Sequence, residues 1–348
     1  MSPAGDRVEV RAPGRVNLIG DHTDYTGGLA LPLAIDRETV VRGVESDEPV
    51  ITLTSDQEAT PATIPLPAAG IADTEPPWAR RVAAIAAELG REHGFAGSVE
   101  STVPIGAGLS SSGALGVALA LALSADADYS RLEVALLCQR AQQAATGVPA
   151  GILDEMASLH GRNGHALLLD CHALTIDPVP LPEGAQIVVK YISHRTVAGS
   201  PYSDRVATCN AAEDVIGPLR LARMEDLSRL SDPVLLARAR HVVSENERVR
   251  QCVEAFRSDD LKAAGRLMTA SHISLRDDYE VSTPDLDSAV ENLISTPGVY
   301  GARLTGAGFG GCVIALAEPG AVTDAWVVRA VDGAEVVSGG SNYYRASE

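Results

Sequence analysis

The chain has 348 residues, 45% of them hydrophobic, and 28 Lys and Arg against 46 Asp and Glu, a formal net charge of −18. That excess of acid weighs against nucleic acid and anionic membranes as partners, since both are bound through cationic patches. The length exceeds the range in which a single core keeps growing, so two domains are expected, divided as 1–178 and 179–348.

In chain order, residues 1–15 contain no apolar signal core, and 8–10 and 30–44 read as β segments. Residues 78–93 carry a helical pattern ended by Gly94. Helices are expected over 110–124 and 130–145, and short strands over 165–170 and 186–191. The most apolar run, 114–125, is too short to cross a bilayer, so a cytoplasmic protein is expected, monomeric or a small oligomer. Pro178, Pro180 and Pro182 mark the join between the halves. Beyond it, 232–257 and 259–275 look helical, while 298–304, 311–317 and 325–331 look like strands, giving an α+β chain throughout. The five cysteines are widely spaced with no metal-ligand pairing, which reads as reduced thiols.

Three segments carry chemistry. Pro104-Ile105-Gly106-Ala107-Gly108-Leu109-Ser110-Ser111-Ser112-Gly113 joins a glycine-rich loop to a serine-rich helix start. Glycines let the backbone approach a ligand, and the free N–H groups of a helix's first turn suit a phosphate. The serine hydroxyls add hydrogen bonds or a Mg²⁺ ligand. The other reading is a glycine-rich turn with N-cap serines. A Walker A loop is excluded because the only lysines, Lys190 and Lys262, stand elsewhere. Near the N-terminus, Asp21, His22 and Asp24 crowd four positions just past Gly20. Carboxylates and an imidazole on a short loop suit a polyol, although both residue types are also ordinary in turns. A second glycine loop, 304–311, precedes an apolar run at 312–316.

In this order and spacing the segments resemble the galacto-, homoserine-, mevalonate- and phosphomevalonate-kinase superfamily, and within it the galactokinase family. The resemblance runs from about Arg11 to about Leu316, and Ser271 to Ser282 is similar as well. It implies a two-lobed fold with nucleotide and sugar in the cleft between lobes, and transfer from ATP, with Mg²⁺, to a sugar 1-hydroxyl. Asp154, in Gly151-Ile152-Leu153-Asp154, is then the catalytic carboxylate and Arg15 its partner. The sugar contacts map to Asp21, His22, Asp24, Gly151 and Tyr202. The nucleotide contacts map to Trp78, Pro104, Gly106, Ala107, Gly108, Leu109, Ser110, Ser111 and Ser112, and the metal ligands to Ser112 and Gln142.

Four residues depart from the family pattern. Asp21 replaces Glu, Gln142 replaces the metal-binding Glu, Glu155 replaces Gln, and Arg81 replaces an aromatic near the adenine. A hard dication prefers carboxylates, so the metal shell is expected to be weaker or rearranged. The shorter Asp21 points to a 1-kinase for a related sugar (arabinose, an acetamido sugar or a uronic acid) as the alternative substrate class. Gln142 and Glu155 together motivate a third reading, a sugar- and ATP-sensing regulator without turnover.

Overall fold

The computed structural model describes residues 7–124, 128–194 and 201–338. The first half runs β1 (Val8–Asn17), β2 (Leu29–Ala30), β3 (Pro32–Ser46), β4 (Val50–Ser55), β5 (Ala62–Pro65), α1 (Ala79–Glu88), β6 (Gly94–Ser101), α2 (Ser111–Leu123), α3 (Arg131–Thr146) and α4 (Leu153–His160). There follow β7 (His165–Asp170), β8 (Thr175–Pro180), β9 (Gln186–Ser193), α5 (Tyr202–Ile216), α6 (Pro233–Arg257), α7 (Leu261–Asp277), α8 (Pro284–Ile294), β10 (Val299–Leu304), β11 (Gly311–Ala317), β12 (Trp326–Val328) and β13 (Glu335–Ser338).

Three sheets result. One has six strands in the order β13-β1-β3-β6-β4-β5, one has four in the order β10-β11-β9-β12, and one has three in the order β2-β7-β8. All pairs are antiparallel except β4 with β6. Helix α2 is apolar nearly all round and is accordingly buried, packed against β1 and β3 on one side and α1, α3 and α4 on the other. Helix α3 opens on a capping box, Ser130 with Glu133, and closes on left-handed Gly147. Helices α6 and α8 start at Asp232 and Thr283, each followed by proline at the first helical position. A shared apolar cluster joins the halves, with Leu18, Leu33 and Leu109 packed among Val249, Met268 and Ile314.

Three expectations shift. Helix α1 stops at Glu88 because Gly90 takes φ +58° and the Arg91 N–H closes back on the Ala86 carbonyl. Gly94 opens β6 instead, where any Cβ would meet the Glu48 carbonyl oxygen at 2.0 Å. Pro178 and Pro180 lie within β8, the edge strand of its sheet, where a missing N–H costs no ladder bond. Residues 329–331 leave β12 and bridge to Ala34–Asp36 on the far side of β3's start, and β13 then pairs with β1. No helix among the described residues is long and apolar enough to cross a membrane.

Candidate active site

A cavity of about 390 Å³ is lined from both halves, by Arg15, Asp24, Gly151 and Asp154 from the first and Tyr202, Gly306 and Ala307 from the second. Its floor is set by how the 104–113 loop lies on β1. A Cβ on Gly14 would stand 2.7 Å from the Leu109 carbonyl oxygen, so glycine permits the approach, and the Arg15 N–H donates to that oxygen at 3.0 Å. Arg15, 5% exposed, also donates through Nη1 to the Gly108 carbonyl at 2.7 Å. Its Nε and Nη2 reach Asp154 Oδ1 at 2.7 and 2.5 Å.

The second oxygen of Asp154 is held too. Ser110 takes φ +63° before the first turn of α2 and accepts no capping N–H on its side chain; its Oγ donates to Asp154 Oδ2 at 2.8 Å. That left-handed conformation, uncommon for a non-glycine residue, turns the hydroxyl away from the helix and toward the carboxylate. Asp154 is thus anchored on both oxygens while its side chain remains 31% exposed, and it lines the cavity. Of the expected nucleotide residues, Gly106, Gly108, Ser110, Ser111 and Ser112 line the cavity with Ile105. Pro104, Ala107 and Leu109 do not; Ala107 and Leu109 are apolar, fully buried and packed in the core.

Across from Asp154 lie the polar residues of 21–24. A Cβ on Gly151 would stand 1.5 Å from Asp24 Oδ2, so the glycine is what admits this carboxylate beside Asp154. Burial first, and then the charge of Asp154, raise the Asp24 pKa to about 7. His22 Nε2 lies 3.2 Å from the Ala307 carbonyl and Nδ1 lies 2.9 Å from the Tyr25 hydroxyl. A carbonyl only accepts, so Nε2 carries the proton, and in the neutral ring Nδ1 accepts from Tyr25. Tyr25 and Tyr279 then share a hydrogen bond at 2.5 Å, and Cys209 Sγ lies 3.1 Å from the Tyr279 oxygen. Burial pushes the Cys209 thiol up to about 11, which keeps its proton in place at the far end of the chain. Tyr202 completes this wall, its ring 5.7 Å from that of His22.

The hydroxyl chain predicts a measurable cost. Tyr279→Phe removes both of its bonds and leaves Tyr25 without its buried partner, so a loss of about 1–3 kcal/mol is expected in urea denaturation. An unchanged midpoint would show that the chain does not order this wall.

Asp21 lines the cavity, yet its carboxylate is directed to the protein. It is 5% exposed, pairs with Arg303 through Oδ2, and accepts the Gly306 N–H on Oδ1 at 2.9 Å. This links the first polar loop to the second glycine loop. Sequence reasoning missed Arg303, Tyr25 and Tyr279. A signal existed for Arg303, since a guanidinium in the apolar stretch Val299–Leu304 requires a buried acid.

Trp78 stands apart from the cavity: its Nε1 donates to the Thr60 carbonyl at 2.9 Å and its ring packs on the first-half core. Ser112 and Gln142 both line the cavity. They offer a hydroxyl and an amide oxygen, and among the described residues no group of three or more His, Cys, Asp or Glu is arranged to hold a metal. Glu155 is 3% exposed, and burial, then Asp154, raise its pKa to about 7.

Three family models match: Galactokinase galactose-binding signature over residues 3–43, GHMP kinases N terminal domain over 79–162, and GHMP kinases C terminal over 252–327. A human galactokinase is 40% identical over 368 residues, covering 96% of this chain and 93% of its own. A galactokinase of Chloroflexus aurantiacus is 40% identical over 347 residues, covering 94% and 88%. The crystal structure of Lactococcus lactis galactokinase complexed with galactose superposes with a TM-score of 0.89 at 30% identity, covering 94% of this chain and 95% of that one. Methanococcus jannaschii mevalonate kinase, at 21% identity and a TM-score of 0.68 over 95% and 100% of the two chains, shares the fold.

Proposed function

The chain belongs to the galactokinase family, and from that premise we propose that it transfers the γ-phosphoryl group of ATP to the 1-hydroxyl of D-galactose. The products are α-D-galactose 1-phosphate and ADP. The observation that carries this reading is Asp154, anchored by Arg15 and Ser110 and open to a cavity whose other walls are a glycine loop and a polar rim.

The residues divide the work. Asp24, Gly151 and Tyr202 seat the sugar so that its 1-hydroxyl meets Asp154. Oδ1 already accepts two Arg15 N–H groups and Oδ2 a single hydroxyl, so Oδ2 is the more basic oxygen and takes the proton. Phosphoryl transfer runs through a loose transition state, so this proton moves late, as the new O–P bond forms and the bond to the leaving ADP oxygen breaks. Arg15 sets a fixed positive charge beside Asp154 and the reacting centre. The loop glycines and the N-terminus of α2 receive the phosphates.

Ser112 Oγ and the Gln142 amide oxygen, both lining the cavity, are the protein groups that would hold a magnesium ion arriving with ATP. When bound, it neutralises charge on the β- and γ-phosphates.

A second reading, a 1-kinase for a sugar altered around its primary hydroxyl, is favoured by Asp21, whose short carboxylate is committed to Arg303 and Gly306. ADP release with MgATP across galactose, galactosamine derivatives, arabinose, glucose and galacturonate separates the two. Preference for galactose is the expected result; preference for another sugar keeps the mechanism and changes the substrate, and silence throughout favours the sensing regulator.

A further inference from the structure

Two of the residues that depart from the family pattern, Arg81 and Glu155, meet beside the start of helix α2. Arg81, on α1, is 6% exposed and lies outside the cavity lining. Its guanidinium lies over Gly116, where a Cβ would meet Nη2 at 2.7 Å, Nε at 2.9 Å and Cζ at 3.0 Å. From there Nη2 donates to the Ser112 carbonyl at 3.0 Å and stands 3.7 Å from Glu155 Oε1. Arg81 Nε and Nη1 and Glu155 Oε2 are buried and make no hydrogen bond. One guanidinium therefore ties three helices: α1, which carries it; α2, through the first turn that meets the phosphates; and α4, through the residue next to Asp154.

We propose that Arg81 is a positioning residue for the phosphate end of the site: it holds the Ser112 backbone at a set distance from helix α4, with Glu155 as the counter-charge that makes its burial tolerable. This rests on the kinase reading and deepens it. A guanidinium left in this position without a carboxylate, or a carboxylate without the guanidinium, is an uncompensated buried charge; the neutral pair is not. The hydrogen bond to the Ser112 carbonyl is a separate matter, because only Arg81 can make it. Stability and nucleotide binding should therefore respond differently to the same set of variants.

The experiment measures thermal unfolding and calorimetric binding of MgATP and of galactose for the parent chain, Arg81→Met, Glu155→Gln and the double variant. Both single variants are expected to melt lower than the parent, and the double variant to recover most of that loss. MgATP affinity is expected to fall about tenfold in Arg81→Met and to stay low in the double variant, as for one lost hydrogen bond of this kind. Galactose affinity is expected to stay within about twofold, a change worth well under a single hydrogen bond. Parental MgATP affinity in the double variant would overturn the proposal and leave Arg81 a purely structural charge. A parent chain that binds galactose but no MgATP would overturn the kinase reading itself, and the positioning role with it.

Discussion

Asp154→Asn is expected to lower kcat by about two to four orders of magnitude while leaving galactose affinity nearly intact. The geometry makes this a clean substitution. An asparagine placed here presents its oxygen to Arg15, which can only donate, and its amide nitrogen to Ser110, whose hydroxyl can accept instead of donating. Both anchors survive and the side chain keeps its place; what is lost is a lone pair able to take the 1-hydroxyl proton on the Oδ2 side. A second readout follows from Asp24, whose pKa is raised to about 7 by burial and then by the Asp154 charge. A carboxylate accepts from sugar hydroxyls and its acid form accepts less well, so galactose affinity in the parent should weaken as pH falls through about 7. Removing the neighbouring charge lowers that midpoint, so the variant should hold its affinity to lower pH. Single-turnover ADP formation and calorimetric galactose titrations at pH values on both sides of the Asp24 midpoint of about 7 measure both effects. Near-normal turnover would remove Asp154 from its role.

How much of this was legible in the sequence depended on the range over which each feature is decided. Local signals held: the helical stretch expected over 130–145 and the strand expected over 311–317 are α3 and β11. The end of α1 did not, because two glycines stood four residues apart. The choice between them was made by φ at Gly90 and by the close approach of Gly94 to the Glu48 carbonyl, a contact supplied by another strand. Within the site, the Gly-rich loop and the acidic rim were readable as types, and the resemblance supplied the Arg15 and Asp154 pairing. Three successive serines carry no mark of which one turns back. Only the left-handed backbone at Ser110 commits its hydroxyl to Asp154 and leaves Ser111 and Ser112 to the cavity. The link from Asp21 to Arg303 spans 282 residues and has no local signature on the acid's side.

Arg303→Leu is expected to cost about 3–5 kcal/mol of stability, the price of stranding a buried carboxylate. Arg303 is fully buried and pairs with Asp21 Oδ2, while Asp21 Oδ1 accepts the Gly306 N–H, so one acid fastens the loop after β1 to the glycine loop after β10. Arg303 acts on a second acid as well. Glu245, fully buried, accepts the Gly20 N–H at 2.9 Å and the Ser271 hydroxyl at 2.5 Å, and pairs with Arg248 at 2.6 Å. Burial alone would raise its pKa, but Arg248, His241 and Arg303 outweigh that and hold it at about 2. A folded-state pKa below the ordinary 4.5 contributes stability above that value and loses it as pH falls toward 2, so Arg303 also supports acid resistance. Leucine fills much of the volume but leaves two acids sharing one fewer cation. Adding Asp21→Asn should return part of the loss, since the amide keeps an acceptor for Gly306 and carries no charge. Urea denaturation of the parent, Arg303→Leu and the double variant at pH 7 and pH 4.5 measures this. If Asp21→Asn gives back nothing in the Arg303→Leu background, the loss belongs to packing alone. The pairing would then not be what joins the two loops.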